Sequence, residues 1–372
     1  MNACFDRSRI SVKPLAERVN KLDIRRDVID PETYDVRLDS AAEDSVRLAA
    51  SEIRAARARG APVILAFGAH SIKNGLSRVM TRLLRGGWVS HFATNGAGVI
   101  HDWEFAYQGS SGEDVRRYCA EGQFGIWQET GAYLNLAIAV GAHRGLGYGE
   151  SIGAFVSEGG LAIPDGGALR RDLAAGAEPD APAAALERAA AAADLAALAA
   201  RLGVKAGFLR VEHPHKAFGL QAAAYEAGVP FTAHPMFGHD IIYTHPMSCG
   251  AAIGRTAERD FLAFVESVSR LEGGVYLSVG SAVMSPMIFE KALSMSRNVA
   301  RASGRGIEDF SLHVVDLAQS AWDWTRDGEP PQDNPAYYLR FCKTFSRMGG
   351  RMTYTSADNR SFLTGLLRAL EG

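Results

Sequence analysis

The chain has 372 residues, a net charge of −2, and 47% hydrophobic and 22% charged residues. These values are typical of a globular protein and exclude a disordered or collagen-like chain. The seven Lys and 33 Arg are spread thinly, so no strong basic field indicates binding to nucleic acid or to an anionic membrane. We expect neither as a partner.

Cysteine use and apolar windows indicate the compartment. The four cysteines form no CxxC pair and no disulfide framework, which is typical of a reducing cytosol. The first residues contain no apolar core of a secretion signal. No window reaches about 18 uninterrupted apolar residues, which is roughly the length needed to cross a bilayer. The sequence therefore predicts a cytoplasmic protein.

The first regular elements alternate between helix and strand. Ala, Val, Leu and Ile recur at spacings of three and four over residues 40–59, which predicts an amphipathic helix. Residues 61–67 are apolar on both faces, as in a buried parallel strand. A helix at 75–84 and a strand at 88–94 follow. This alternation predicts an α/β fold with a doubly wound, Rossmann-like, mostly parallel sheet.

An N-terminal arm and an insertion lie outside this alternation. Residues 1–40 are mostly polar, with one short helix expected at 13–20. Residues 157–201 are rich in Gly, Pro and Ala, and we expect a peripheral helix on a flexible insertion. Further strands are expected at residues 206–211, 230–233, 274–279, 311–316 and 351–355. No clear boundary interrupts the pattern, so residues 41–372 are expected to form one large domain.

Ligands of open α/β sheets bind at the carboxyl ends of the strands. Small residues at several predicted strand ends, among them Gly68, Gly96 and Gly280, allow backbone N–H groups to approach a phosphate. Neither of the common nucleotide fingerprints, GxGxxG and GxxxxGK[ST], is present. A tight strand-to-helix turn accounts for Asn95–Gly98 equally well.

Histidines concentrate in the second half of the chain. The set that could supply metal ligands is His213, His215, His234, His239, Asp240 and His245. It contains no pair of histidines at helical i, i+4 spacing, and prolines interrupt it. A metal-dependent hydrolase using the His213–His245 cluster is therefore an alternative hypothesis. We expect no metal site, with these histidines lining a polar cleft or satisfying hydrogen bonds.

Two further positions could carry chemistry. His101 and Asp102 follow the Gly-rich turn and could pair for acid–base work, although Asp102 as a helix N-cap is an equal alternative. Lys343 lies among the aromatic residues Tyr338, Phe341 and Phe345. If they bury it, its amine could be neutral and form an imine with a carbonyl. The alternative is a surface lysine whose stem covers apolar neighbours.

Taken together, these segments resemble the deoxyhypusine synthase superfamily. Thr94-Asn-Gly-Ala-Gly-Val-Ile-His-Asp102 resembles the family's TTAGGVEED turn, and residues 229–245 its IPVFSP…LGDMIFFH stretch. Tyr276-Leu-Ser-Val-Gly-Ser-Ala-Val283 is similar to the family's strand and GGG turn, and Leu317-Ala-Gln319 to its TAQ. Pro335, Lys343 and Tyr354 keep the mutual spacing of the family's P…W-G-K…V-Y. The resemblance extends over roughly residues 40–370.

The resemblance implies an NAD-dependent transferase that oxidises a polyamine and passes an aminoalkyl group through an imine on Lys343. It implies a homotetramer with NAD between subunits. Asp240 would face the substrate amine, and we add His245, His101, Asp102 and Tyr337 as substrate-binding candidates. The expected NAD site, in which Ser71 is our own addition, consists of Ser71, Asn95, Gly96, Ala97, Gly280, Ser281, Leu317, Ala318, Ser356 and Ala357.

Several acidic residues of the family motif are replaced in this chain. His101, Pro235, Ser356 and Tyr337 stand where the family has carboxylates, and Phe341 replaces its Trp. A site with fewer carboxylates binds a cationic polyamine less well. We therefore expect a homospermidine synthase-like transfer between small amines. The alternatives are NAD-dependent oxidation or deamination of an amino acid or amine, the metal-dependent hydrolase, and a non-catalytic ligand-binding relative.

Overall fold

The computed structural model describes residues 4–324 and 326–372. These residues divide into two compact units. The sheet unit contains residues 24–98, 226–234 and 261–372, and the helical unit contains the described residues up to 23 together with 99–225 and 235–260. This division splits the expected arm at residue 23, and the single large domain at 41–372 stays a prediction. Of the helices that the structure describes, none is both long and apolar enough to span a bilayer.

The sheet unit is built on six parallel strands. Numbered along the chain, they are β1 (Val63–Phe67), β2 (His91–Thr94), β3 (Phe231–Ala233), β4 (Val275–Val279), β5 (Ser311–Asp316) and β6 (Arg351–Ser356). Their spatial order is β3-β2-β1-β4-β5-β6. This is the strand order of dinucleotide-binding doubly wound folds. The predicted Rossmann-like parallel sheet is thereby confirmed.

The two central strands β1 and β4 are apolar on both faces because helices cover both sides of such a sheet. Every residue of β1 and of β4 is buried. Helix Ser40–Ala58 begins at Asp39, whose carboxylate accepts the Ala42 N–H at 2.8 Å. The other helices of this unit are Ile24–Asp27, Ala69–Lys73, Ser77–Arg85, Met284–Ala302, Arg340–Ser346 and Asn359–Glu371.

Six helices among the described residues belong to the helical unit, the last of them except for its final residue, Glu226. They are Val115–Ala120, Gln128–Arg144, Tyr148–Glu158, Gly166–Gly176, Ala183–Leu202 and Leu220–Glu226. Two antiparallel strand pairs accompany them, Leu22–Asp23 with Ser110–Ser111 and Gly160–Ile163 with Gly207–Arg210. Helices Gly96–Gln108 and Gly250–Ser269 each contain residues of both units.

Three sequence-based expectations differ from the structure. The helix expected at residues 13–20 is a single 3₁₀ turn, Leu15–Glu17. The strand expected at 206–211 pairs antiparallel with Gly160–Ile163 outside the main sheet, and most of its residues are exposed. The insertion at 157–201 is not one peripheral helix, because its Ala-rich helix packs on helix Gly166–Gly176 and buries Ala191, Ala192, Leu195 and Leu198.

Candidate active site

The strand order places a topological switch point between β1 and β4, where ligand crevices form in such sheets. Gly68 follows β1 and Gly280 follows β4, and a Cβ on Gly68 would overlap the carbonyl oxygen of Gly280. Gly280 has a φ of 58°, a left-handed conformation that glycine adopts without strain. The N–H groups of these two glycines donate to the backbone oxygens of Val279 and Val315, so they continue the backbone hydrogen bonding of the sheet. The predicted approach of these particular N–H groups to a phosphate is therefore wrong.

A cavity of about 220 Å³ lies beside this point, at the carboxyl ends of β1, β4, β5 and β6. Its lining belongs entirely to the sheet unit and consists of His70, Asn74, Gly280, Val315, Asp316, Leu317, Ala357 and Asn359. Typical small-molecule sites measure roughly 300–1,000 Å³. The cavity is therefore smaller than a site that encloses a whole small-molecule ligand.

One side of the cavity is a hydrogen-bonded group of amides. Asn74 donates to the side-chain oxygen of Asn359 at 2.9 Å, and Asn359 in turn donates to the buried Ser71 hydroxyl at 3.4 Å. His70 lies nearby, and burial together with the charge of Lys73 lowers its pKa below the usual 6.5. Its imidazole is therefore neutral at pH 7, and this side of the cavity is polar and uncharged.

The opposite side is formed by the ends of β5 and β6, which are joined by three hydrogen bonds. Asp316 accepts the Ala357 N–H on its backbone oxygen at 3.0 Å. The hydroxyls of Tyr354 and Ser356 both donate to the Ala318 carbonyl, at 2.6 and 2.5 Å. These bonds fix the backbone on both sides of Asp316 and Leu317.

Of the ten expected NAD residues, Gly280, Leu317 and Ala357 line the cavity. Ser71, Ser281, Ala318 and Ser356 are next to lining residues in the chain or bonded to them. Asn95 accepts the Gly98 N–H on its side chain at 2.9 Å and so caps helix Gly96–Gln108. Asn95, Gly96 and Ala97 thus form the tight strand-to-helix turn that was the alternative, and their cofactor role stays a prediction.

Five lining residues were missed from the sequence, namely His70, Asn74, Val315, Asp316 and Asn359. A signal for two of them was present. His70 and Asp316 fall at the predicted carboxyl ends of strands, which is where ligands bind in this class of sheet. Asn74 follows helix Ala69–Lys73 as its C-cap and Asn359 begins helix Asn359–Glu371, and their bond to each other joins residues 285 positions apart.

Lys343 lies on helix Arg340–Ser346, and its side chain is 16% exposed. Its ammonium is 3.5 Å from the centre of the Tyr337 ring and 3.9 Å from a carboxylate oxygen of Glu329. Both are partners for a charged amine. The sequence did not predict the Glu329 contact, and Tyr338, one of the expected aromatic neighbours, is exposed. Tyr337 does adjoin Lys343, but Lys343 is not among the residues that line the cavity.

The other substrate-binding candidates belong to the helical unit. Asp102 is 2% exposed and accepts the N–H groups of Leu220 and Gln221 at 2.9 and 3.0 Å. It therefore caps the N-terminus of helix Leu220–Glu226, which agrees with the N-cap alternative. His101 contacts the Ser111 hydroxyl at 2.7 Å, so an acid–base pair with Asp102 stays a prediction.

Two histidines of the predicted metal cluster, His213 and His245, accept hydrogen bonds from other groups. The Trp103 indole donates to Nε2 of His213 at 3.0 Å, and the Met247 N–H donates to Nδ1 of His245 at 3.1 Å. Burial lowers the pKa of both histidines to about 4. Within residues 4–324 and 326–372, no group of three or more His, Cys, Asp or Glu is arranged to hold a metal ion.

Asp240 is buried beside two tyrosines of the helical unit. Burial, and then the charge of Asp240, raises the pKa of Tyr148 and of Tyr243 above the usual 10. These contacts make the surroundings of Asp240 aromatic and hydroxyl-bearing. Its predicted role towards a substrate amine stays a prediction.

No protein-family model matches the sequence, and no curated protein is similar to it at a significant level. The solved complex of AgrE with ornithine and NAD+ aligns with 91% of this chain and 34% of its own, at 16% identity and a TM-score of 0.43. ArgZ, an arginine dihydrolase from the ornithine–ammonia cycle in cyanobacteria, aligns with 90% of this chain and 33% of its own. The sequence identity is 14% and the TM-score is 0.41. A LOR/SDH protein from Methanococcus maripaludis S2 aligns with 91% of this chain and 72% of its own. The sequence identity is 12% and the TM-score is 0.46.

This chain therefore spans about a third of the length of AgrE and ArgZ. Likenesses at these identities and TM-scores carry no argument about what this chain does.

Proposed function

We propose that the protein is an NAD-dependent enzyme that oxidises the amine-bearing carbon of a small amino acid or amine. The observation that carries the proposal is the cavity at the switch point of a sheet with the strand order β3-β2-β1-β4-β5-β6. Open sheets of this order bind dinucleotides at that place. The homotetramer and the cytoplasmic location remain predictions.

The lining residues fit one end of NAD. The missing Cβ of Gly68 lets the Gly280 backbone pack against it, which brings the ends of β1 and β4 together beside the cavity. Asp316 supplies an acceptor for hydroxyl groups, and the amides of Asn74 and Asn359 supply donors and acceptors. When bound, NAD would accept a hydride from the substrate.

The surroundings of Lys343 favour oxidation over aminoalkyl transfer. Transfer through an imine requires a neutral lysine amine. Glu329 and the Tyr337 ring, which lie beside the Lys343 nitrogen, are instead partners that stabilise a positive charge. Oxidation followed by hydrolysis of the substrate imine releases ammonia and a carbonyl compound, and it requires no nucleophilic lysine.

Calorimetry of the full chain with NAD tests the cofactor site. Leu317 lines the cavity and is 70% exposed, so Leu317→Glu places a repelling carboxylate there without disturbing the core. We expect wild type to bind NAD and Leu317→Glu to lose measurable binding. Leu262→Glu, on an exposed surface of the same unit away from the cavity lining, is the matched control and should bind like wild type. Equal binding by the Leu317 variant would contradict the site.

Turnover is tested with a panel of amino acids and polyamines that includes ornithine and arginine. Appearance of reduced cofactor together with ammonia is the expected result for at least one member. Reduced cofactor without ammonia would identify an oxidation that leaves the amine in place. A panel that yields neither, with NAD bound, would contradict the proposed reaction.

Aminoalkyl transfer is the second candidate, and the burial of most of the Lys343 side chain favours it. Borohydride treatment in the presence of NAD and a polyamine should then trap an adduct on Lys343, detected by peptide mass spectrometry. Lys343→Arg keeps the charge next to Glu329 but cannot form the imine, so it should abolish transfer while retaining NAD binding. Turnover at the wild-type rate in this variant would rule out the imine.

A further inference from the structure

The cavity carries a single acidic side chain. Among its eight lining residues, all within the described part of the chain, Asp316 is the one carboxylate, and none is Lys or Arg. His70 is neutral at pH 7 because burial and the charge of Lys73 lower its pKa. An additional phosphate group in this cavity would therefore meet a negative charge with no cation from the lining to offset it.

Asp316 is held in place and still has the capacity to bind a ligand. It is the last residue of β5, and its Oδ1 accepts the Ala318 N–H at 3.1 Å. The bond between its backbone oxygen and the Ala357 N–H fixes the strand end. A carboxylate has about four lone-pair positions on two oxygens, so the Ala318 bond leaves acceptor capacity for two neighbouring hydroxyls.

An apolar surface adjoins this carboxylate. Leu317 is 70% exposed, which is unusual for a leucine next to a buried strand, and Val315 and Ala357 line the same cavity. A flat heteroaromatic ring would cover Leu317 and remove its apolar surface from water. The cavity thus offers an apolar wall for a base next to an acceptor for a ribose.

We propose that Asp316 selects NAD over NADP by accepting hydrogen bonds from the 2′- and 3′-hydroxyls of the adenosine ribose, with adenine packed on Leu317. This inference rests on the proposed function, because it assigns the adenosine end of the same cofactor to the cavity. Hydrogen bonds to a carboxylate are stronger than those between neutral groups, and a 2′-phosphate would remove one donor and add about two negative charges. Asp316 is then a specificity-determining residue.

The test compares NAD, NADP and ADP-ribose by calorimetry on the full chain. ADP-ribose lacks nicotinamide and should bind wild type within a few-fold of NAD, because the adenosine end makes these contacts. We expect NADP to bind at least about 100-fold more weakly than NAD. Asp316→Asn should bring the two affinities closer by about 10-fold or more, since it removes the charge and keeps the shape.

Two further variants keep the test decisive. Leu317→Arg adds a cation at an exposed position beside the ribose and should raise NADP affinity relative to NAD, which does not depend on how Asp316→Asn folds. Asp333→Asn, an exposed carboxylate of the same unit that is not part of the lining, is the matched control and should leave both affinities unchanged.

A failure of the role of Asp316 and a failure of NAD binding give different results. Equal affinity of wild type for NAD and NADP, or an unchanged ratio in both Asp316→Asn and Leu317→Arg, overturns the role of Asp316 while NAD binding stands. Absence of binding by NAD and ADP-ribose alike overturns the proposed function as well.

Discussion

Asp102 and Glu104 lie two residues apart on helix Gly96–Gln108, and both carboxyls are fully buried in the helical unit. Their surroundings differ most in charge. Both terminal nitrogens of Arg18 donate to Glu104, at 2.8 and 2.7 Å, whereas Asp102 accepts hydrogen bonds from uncharged N–H groups of Leu220 and Gln221. Glu104 is thus a buried carboxylate that contacts a cation, and Asp102 is a buried carboxylate that contacts only uncharged N–H dipoles.

The pKa values follow this difference. Burial raises the pKa of Asp102 to about 6, because the hydrogen bonds from Gln221 and Leu220 only partly offset the loss of water. Burial alone would also raise the pKa of Glu104, but the charge and hydrogen bonds of Arg18 outweigh it, and the pKa is lowered. A neighbouring charge, rather than the extent of burial, therefore decides the direction of the pKa shift.

The largest expected effect is that of Glu104→Gln. The substitution keeps the shape of the side chain but leaves the buried Arg18 guanidinium without a compensating charge. We expect the free energy of unfolding to fall by about 3–5 kcal/mol, as for other broken buried ion pairs. Urea unfolding of wild type and variant at pH 7 measures it.

A double variant sharpens this result. Arg18→Met together with Glu104→Gln removes both charges, so it should recover part of the stability that Glu104→Gln alone loses. If the single and double variants are equally unstable, the loss comes from packing and not from the uncompensated charge.

The next effect in size is the pH dependence contributed by Asp102. The pKa of its folded carboxyl, about 6, lies above the usual value of 3.8. Stability from this group is therefore fully present below about pH 4 and is lost as the pH rises through about 6. A shift of roughly two units corresponds to at most about 3 kcal/mol. Asp102→Asn cannot titrate, so the difference in unfolding free energy between variant and wild type should change by this amount between pH 4 and pH 7.

The sign of this change is the critical observation. Relative to Asp102→Asn, wild type should lose stability as the pH increases. Other titrating groups are common to both proteins and cancel in the difference. A difference that is constant with pH would mean that Asp102 is ionised throughout the range, and that the N–H groups of Leu220 and Gln221 stabilise the carboxylate as well as a cation does.

A smaller effect is expected from the neutral donors around Glu104. The Thr130 hydroxyl donates to Glu104 at 2.8 Å. Thr130→Val keeps the shape and removes this bond to a charged group, at a cost of about 1.5–3 kcal/mol. The matched control is Thr256→Val, whose buried hydroxyl donates to the uncharged backbone oxygen of Ala252 at 2.9 Å, and its expected cost is about 0.5–1.5 kcal/mol. Equal costs would show that the charge of Glu104 adds nothing to the bond.

The sequence was sufficient for the sheet but not for these polar contacts. Strands β1 and β4 were predictable because an apolar run on both faces has few other stable placements. The strand at Gly207–Arg210 was misassigned because a short run with Phe208 and Leu209 has the same pattern whether it is central or at the surface. At the cavity, His70 and Asp316 were predictable because they fall at the carboxyl ends of predicted strands. The pairing of Asn74 with Asn359, or of Arg18 with Glu104, depends on tertiary packing across 285 and 86 residues.

The smallest effect is expected at an ion pair of the same helical unit that remains in contact with water. Arg144 and Glu158 form two hydrogen bonds, at 2.9 and 2.7 Å, and each side chain is 32% exposed. Glu158→Gln makes the same chemical change as Glu104→Gln, but water can solvate the guanidinium that is left. We expect a cost of about 0.2–1 kcal/mol, which should shrink further in high salt because exposed pairs are screened. Urea unfolding at low and high salt checks both values. A cost as large as that of Glu104→Gln, unchanged by salt, would mean that paired geometry rather than removal from water sets the strength of both ion pairs.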